Sequence, residues 1–124
     1  MQSLEPLSLT MSRDDTTLLD ILKAARLAVE FKGTEDKVGF FKDLKTQSAI
    51  LHQLLLPGEA VKRLSEEFRT QHPEVPWKMV AGMRDKLIHE YDDVDLDEIW
   101  KTVISDIPRL IALLEPLAPR EAKE

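Results

Sequence analysis

The chain has 124 residues, no cysteine and a formal net charge of −6. That length suits a single domain, and the lack of cysteine excludes a disulfide framework and thiolate chemistry, which fits a reducing cytoplasm. No apolar run approaches the roughly 18–20 residues of a membrane span, and the acidic balance argues against a broad nucleic-acid surface while leaving room for a small cationic cleft.

Hydrophobic residues make up 43% of the chain, enough for a core, and seven prolines with four glycines are too few for a Pro/Gly-rich disordered chain. The first ten residues carry Glu5 and no basic residue, so they do not read as a secretory signal. They are expected to form a disordered extension ahead of Met11, a second possible start. Asp14 and Asp15 suit a helix N-terminus. Leu18, Leu22, Ala25 and Val29 then recur at helical spacing, and Gly33 can close the helix in a left-handed cap. Residues 34–42 form a short connection with room for one helical turn, anchored by Phe40 and Phe41.

A second helix is expected from about Asp43 to Arg69, with a kink or a break into two helices at Pro57-Gly58. The Leu54-Leu55-Leu56 run is wider than one buried stripe needs. It suits either a helix deep in its own bundle or one covered by a second subunit. Pro76 opens a third helix, where its missing donor costs nothing. Trp77, Val80, Met83 and Leu87 make its apolar stripe, and Gly82 inside it is unfavourable by about 1 kcal/mol relative to alanine. A loop over residues 90–94 follows. Asp95, with Glu98 three residues on and Val94 and Ile99 flanking, gives a capping box and a hydrophobic staple for the last helix. Pro108 should bend that helix, and residues 118–124 should form a flexible tail. With no alternating strand pattern, the expected fold is an all-α, antiparallel four- to five-helix bundle over residues 11–117.

The chemistry concentrates in Arg84-Asp85-Lys86-Leu87-Ile88-His89-Glu90-Tyr91, which holds the chain's one tyrosine. Arg84 keeps its proton and suits a phosphate or a developing negative charge. His89 can give or take a proton near neutrality. A fixed cation beside a proton carrier suffices for metal-free phosphodiester cleavage. The same residues also suit a solvated helix face with a histidine meeting the helix dipole. On one ideal helix Arg84 and His89 would point about 140° apart. Either the helix ends near His89 and the chain bends back, or two chains each supply part of a site. The three histidines have no short ligand spacing, so a zinc site is not expected. Asp92, Asp93, Asp95 and Asp97 lack the glycine and distal glutamate of an EF-hand and read as loop and helix-start acids. Neither a Gly-rich phosphate loop nor a nucleophile elbow is present.

Arg84, four intervening residues, His89, one residue and Tyr91 resemble the Arg-x4-His-x-Tyr motif of the HepT-like toxins in the HEPN superfamily. Co-linear stretches extend the resemblance over about residues 11–117: Met11 to Asp15, Gly58-Glu59-Ala60 with Lys62 to Ser65, Pro73 to Trp77, Ala81 to Asp85, and Val94-Asp95 with Trp100. It departs at Pro57, where an aliphatic residue is usual, and at Glu90, where a glycine is common. The resemblance implies an HEPN-like bundle that forms a homodimer, with both motif copies facing one cleft. It implies a metal-independent ribonuclease with no cofactor, acting on RNA as the toxin of a type II toxin–antitoxin pair. Arg84 and His89 would be catalytic, with Asp85 supporting one of them. An MNT-type nucleotidyltransferase antitoxin would silence the toxin by transferring AMP to Tyr91. Two other readings stay open at this point, both favoured by the acidic balance and Glu90: a non-catalytic subunit that docks onto a nucleotidyltransferase, and a purely structural bundle.

Overall fold

The computed structural model describes residues 11–90 and 93–119. The expectations for residues 1–10, for Tyr91 and for the end of the tail fall outside them. Helix α1 (Arg13–Lys32) starts at a reciprocal capping box. The Asp15 N–H donates to the Ser12 hydroxyl at 3.0 Å, and the Ser12 N–H donates to the Asp15 carboxylate at 3.2 Å. Gly33 ends the helix at φ 56°, ψ −131°, a positive-φ conformation outside the left-handed helical region that glycine adopts freely. Asp36 caps the short α2 (Lys37–Phe41) by accepting from the Gly39 N–H at 2.8 Å. Of the two expected anchors only Phe40 is buried, 5.3 Å from the Trp100 ring between centroids; Phe41 is 38% exposed.

The second helix departs from its expected boundaries. Helix α3 (Leu44–Val61), capped by Asp43, runs unbroken through Pro57. The break falls instead before Ser65, the N-cap of α4 (Glu66–Gln71). The Ser65 hydroxyl accepts from the Phe68 N–H at 3.0 Å and donates to Asp14 at 2.6 Å, while the Ser65 N–H donates to the other Asp14 oxygen at 2.8 Å. Pro57 forfeits one backbone bond in a buried helix. Ser65 offers the chain a cap and a tether to α1, and that is where the helix stops.

The third helix is interrupted as well. Helices α5 (Trp77–Ala81) and α6 (Met83–Leu87) meet at Gly82. Backbone bonds still cross the junction, from the Gly82 N–H to Lys78 O at 3.0 Å and from the Lys86 N–H to Gly82 O at 3.3 Å. The expected loop over residues 90–94 is in part a hairpin, which corrects the reading that no strand is present. Strand β1 (Ile88–Glu90) pairs antiparallel with β2 (Asp93–Val94). Three residues are too short a run to leave a periodic signature.

Helix α7 (Leu96–Lys101) continues through a π turn (Thr102–Asp106) into α8 (Ile107–Leu114) and a 3-10 turn at Glu115–Leu117. Pro108 has no N–H to give. The wide turn just before it, with the Ile107 N–H bonded to Thr102 O, accommodates the missing donor by a local change of register.

Cross-element contacts fix the directions. Asp14 near the start of α1 holds Ser65 beyond the end of α3, so these two run antiparallel. Arg26 pairs with Glu115 at 2.8 Å, and Lys32, six residues on, lies over the Trp100 ring, so α1 also runs antiparallel to α7–α8. Leu18, Leu22, Ile50, Leu54, Leu87 and Ile107 are fully buried at the centre. The result is all-α in class, as expected, with one small hairpin. In the leucine run Leu54 is buried, while Leu56 is 42% exposed. It lines an open groove of about 430 Å³ with Leu27 and Gln53.

Gly58 lies where α3 meets α5. A Cβ there would sit 3.1 Å from Val80 O and 3.7 Å from Ala81 O, both backbone atoms that cannot swing aside. Gly58→Leu should destabilise the fold by about 1–3 kcal/mol, the usual cost of overpacking. Urea unfolding checks this, and an unchanged midpoint would contradict the close approach of the two helices.

Candidate active site

Helix α6 divides its residues between core and solvent. Met83 and Leu87, four apart, are buried, while Arg84 and Asp85 are exposed on the other side. The helix ends at Leu87, and the chain bends into β1. His89 therefore does not lie on the Arg84 helix, and the 140° separation of an ideal helix does not apply. The chain bends back, which is one of the two routes the sequence left open.

The hairpin pairs Ile88 with Val94 and Glu90 with Asp93. Two steps along β1 match one step along β2, so His89 is the extra residue of a β-bulge. A bulge bends its strand and re-aims the side chain it carries. The His89 side chain stays 52% exposed, with Nε2 3.3 Å from Asp95 Oδ2. Asp95 does more than this. Its N–H donates to Leu87 O at 2.9 Å, and its Oδ1 accepts from the Glu98 N–H at 3.1 Å to cap α7. The sequence marked Asp95 for the cap alone. The pairing with His89 needed a tight chain reversal that brings residue 95 back beside residue 89, and no glycine or proline announces that turn.

Among the described residues, no ion pair or side-chain hydrogen bond joins Arg84 to His89, and none joins Asp85 to either of them. The structure thus carries Arg84 and His89 on adjoining elements. The carboxylate at His89 comes from Asp95 rather than Asp85. Tyr91 lies outside the described residues. Glu90 is exposed on β1. Of the other acids, Asp97 pairs with Lys37 at 3.0 Å.

Lys86 fastens this segment to the bundle. Its ammonium reaches Asp106 at 3.2 Å and Glu98 at 3.5 Å, bridging α6, α7 and the π turn. The return half of the expected capping box is therefore replaced: Glu98 faces Lys86. Burial pulls the Lys86 pKa down, but the bond to Asp106 and the charges of Asp106 and Glu98 outweigh it and leave it raised.

With this geometry in place, comparison with known proteins identifies the class. The family described as ribonuclease HepT-like matches residues 21–117, and the chain belongs to it. That family defines a class of ribonucleases. The relatives include "Probable ribonuclease HepT" of Thermococcus cleftensis, 45% identical over 100 residues that span 81% of this chain and 91% of that protein. "Putative RNase MJ0127" of Methanocaldococcus jannaschii is 41% identical over 100 residues, spanning 81% of this chain and 83% of that protein. "Putative RNase TTE0752" of Caldanaerobacter subterraneus is 46% identical over 82 residues, spanning 66% of this chain and 73% of that protein. No solved structure matches the chain.

The raised Lys86 pKa has a signed consequence. A group raised on folding stabilises fully below its unfolded pKa, about 10.4 for lysine. That stabilisation is lost as pH rises through the folded value. The stability advantage of the parent over Lys86→Met should thus be constant from pH 7 to about pH 10 and shrink above it. Denaturant unfolding of both proteins across this range checks it; an advantage that persists undiminished at still higher pH would show that the charge is not what holds α6 to α7.

Proposed function

We propose that this chain is a metal-independent endoribonuclease, the toxin of a type II toxin–antitoxin pair. The observation that carries the reading is the exposed His89 on a bulge, faced by a carboxylate, next to the helix that presents an exposed Arg84. In the reaction, His89 takes the proton of an RNA 2′-hydroxyl. The 2′-oxygen bonds to the adjacent phosphorus, the bond from phosphorus to the 5′-oxygen breaks, and that oxygen is protonated by an acid or by water. The products are a 2′,3′-cyclic phosphate and a 5′-hydroxyl. Arg84 stabilises the charge that gathers on the phosphorane oxygens. Proton transfer by an imidazole and charge stabilisation by a guanidinium need no metal ion.

Family membership supports two further parts of the reading. The chain works as a homodimer, so that two copies of the Arg84–His89 segment border one RNA-binding cleft. An MNT-type nucleotidyltransferase antitoxin joins AMP from ATP to the Tyr91 hydroxyl, releasing pyrophosphate. The added phosphate brings negative charge into the RNA-binding cleft and repels RNA. The net charge of −6 and the exposed Glu90 favour a second reading, in which the chain is a non-catalytic subunit that presents Tyr91 to the nucleotidyltransferase.

Purified protein should cleave single-stranded RNA in excess EDTA and leave 2′,3′-cyclic phosphate ends. A 2′-deoxyribose at the cut should block cleavage. His89→Ala should lose roughly 10²-fold or more, the usual scale of general acid–base help. Arg84→Lys should also fall, because a point charge does not reproduce a guanidinium fork. Folded His89→Ala and Arg84→Ala proteins that cut RNA like the parent would defeat the assignment. A parent that never cuts while Tyr91 still accepts AMP would establish the second reading.

A further inference from the structure

The geometry points to Asp95 as the residue that positions His89 and selects the nitrogen that exchanges the proton. This rests on the nuclease reading for its consequence in catalysis, but not for its effect on the ring. The Asp95 carboxylate divides its two oxygens. Oδ1 accepts from the Glu98 N–H at 3.1 Å, and Oδ2 lies 3.3 Å from His89 Nε2. The backbone around it is fixed as well, by the bond from its N–H to Leu87 O at 2.9 Å. Its side chain is only 26% exposed, so the carboxylate is held in place and not freely sampling solvent.

A fixed carboxylate oxygen opposite Nε2 repels a lone pair there and attracts an N–H. The neutral ring therefore carries its proton on Nε2 and keeps its lone pair on Nδ1. Nδ1 is then the nitrogen free to accept a proton from substrate, and the imidazolium that results keeps its Nε2–H against Asp95. The logic is that of a carboxylate that orients a general-base histidine without itself being protonated. Among the described residues, Asp95 is the one acidic group within ion-pair distance of His89.

The two functions of Asp95 separate cleanly by substitution. Asparagine and serine cap helices about as well as aspartate. Asp95→Asn and Asp95→Ser thus keep a cap oxygen for Glu98 but remove the charge opposite Nε2. Both variants should unfold at the parent's denaturant midpoint. Both should lose roughly 10-fold or more in kcat with little change in KM, less than the ~10⁴-fold cost of neutralising a buried triad aspartate because this pair is partly exposed.

A second measurement reads the ring directly and needs no RNA. Ring ¹⁵N NMR of the neutral His89, identified by signals missing in His89→Ala, should show the Nε2–H form in the parent. It should shift toward the Nδ1–H form in Asp95→Asn, whose amide N–H would face Nε2, and show a mixture of both tautomers in Asp95→Ser. Ring signals unchanged in the variants, or an Nδ1–H ring in the parent, would overturn the proposal even if the parent cuts RNA. The expected ring signals in a parent that does not cut RNA would uphold the role of Asp95 and defeat only the nuclease reading. Variants that unfold early, with the parent's kcat at lower temperature, would reduce Asp95 to its cap and also overturn it.

Discussion

Two hydrogen bonds and one close approach to a histidine converge on Asp95. Its backbone N–H meets Leu87 O, its Oδ1 meets the Glu98 N–H, and its Oδ2 faces His89 Nε2. The first closes the chain reversal at the point where α6 stops. The second starts α7. The third sets a histidine between the two helix ends. Local order at the candidate site depends on this one residue, because the hairpin around it has only two paired positions and cannot be stable alone. The hairpin persists because both its ends are tied to helices that are themselves buried.

Those helices are held by the bundle behind them. Leu87 and Ile99, one on each side of the hairpin, are fully buried. Lys86 spans the same gap from the polar side, reaching Glu98 and Asp106. Apolar packing and a half-buried charge cluster thus set the spacing of α6 and α7, and the hairpin follows from that spacing. The side chains left outward include Arg84, Asp85, His89 and Glu90. This division gives the fold a rigid support and an exposed edge of charged and titratable side chains.

Much of this was legible in the sequence. The 3.6-residue recurrence of Leu18, Leu22 and Ala25 marked α1 as amphipathic, and Asp95 with Glu98 marked the start of α7, because helix signals extend over many residues or use specific capping chemistry. Other boundaries were not legible. Pro57 was expected to kink the helix or break it in two, and α3 runs unbroken through it, because local propensity at one residue is weaker than the packing of Ile50, Leu54, Ala60 and Val61 on either side. Ser65 was the stronger stop, yet its competence depends on Asp14, 51 residues away in sequence. Gly82 divides α5 from α6, and β1 is too short to alternate. The candidate residues Arg84 and His89 were legible as chemical types, but their arrangement was not. It depends on a bulge at His89, which is a matter of strand register rather than of residue type.

In the proposed reaction Arg84 and His89 act together on one RNA phosphate. The most direct test is an NMR titration of the parent protein with a short RNA made uncleavable by 2′-deoxyribose. The Arg84 side-chain Nε–H and the His89 ring signals should shift together, along one binding curve. RNA that binds and perturbs other surfaces while leaving both signals unmoved would contradict it.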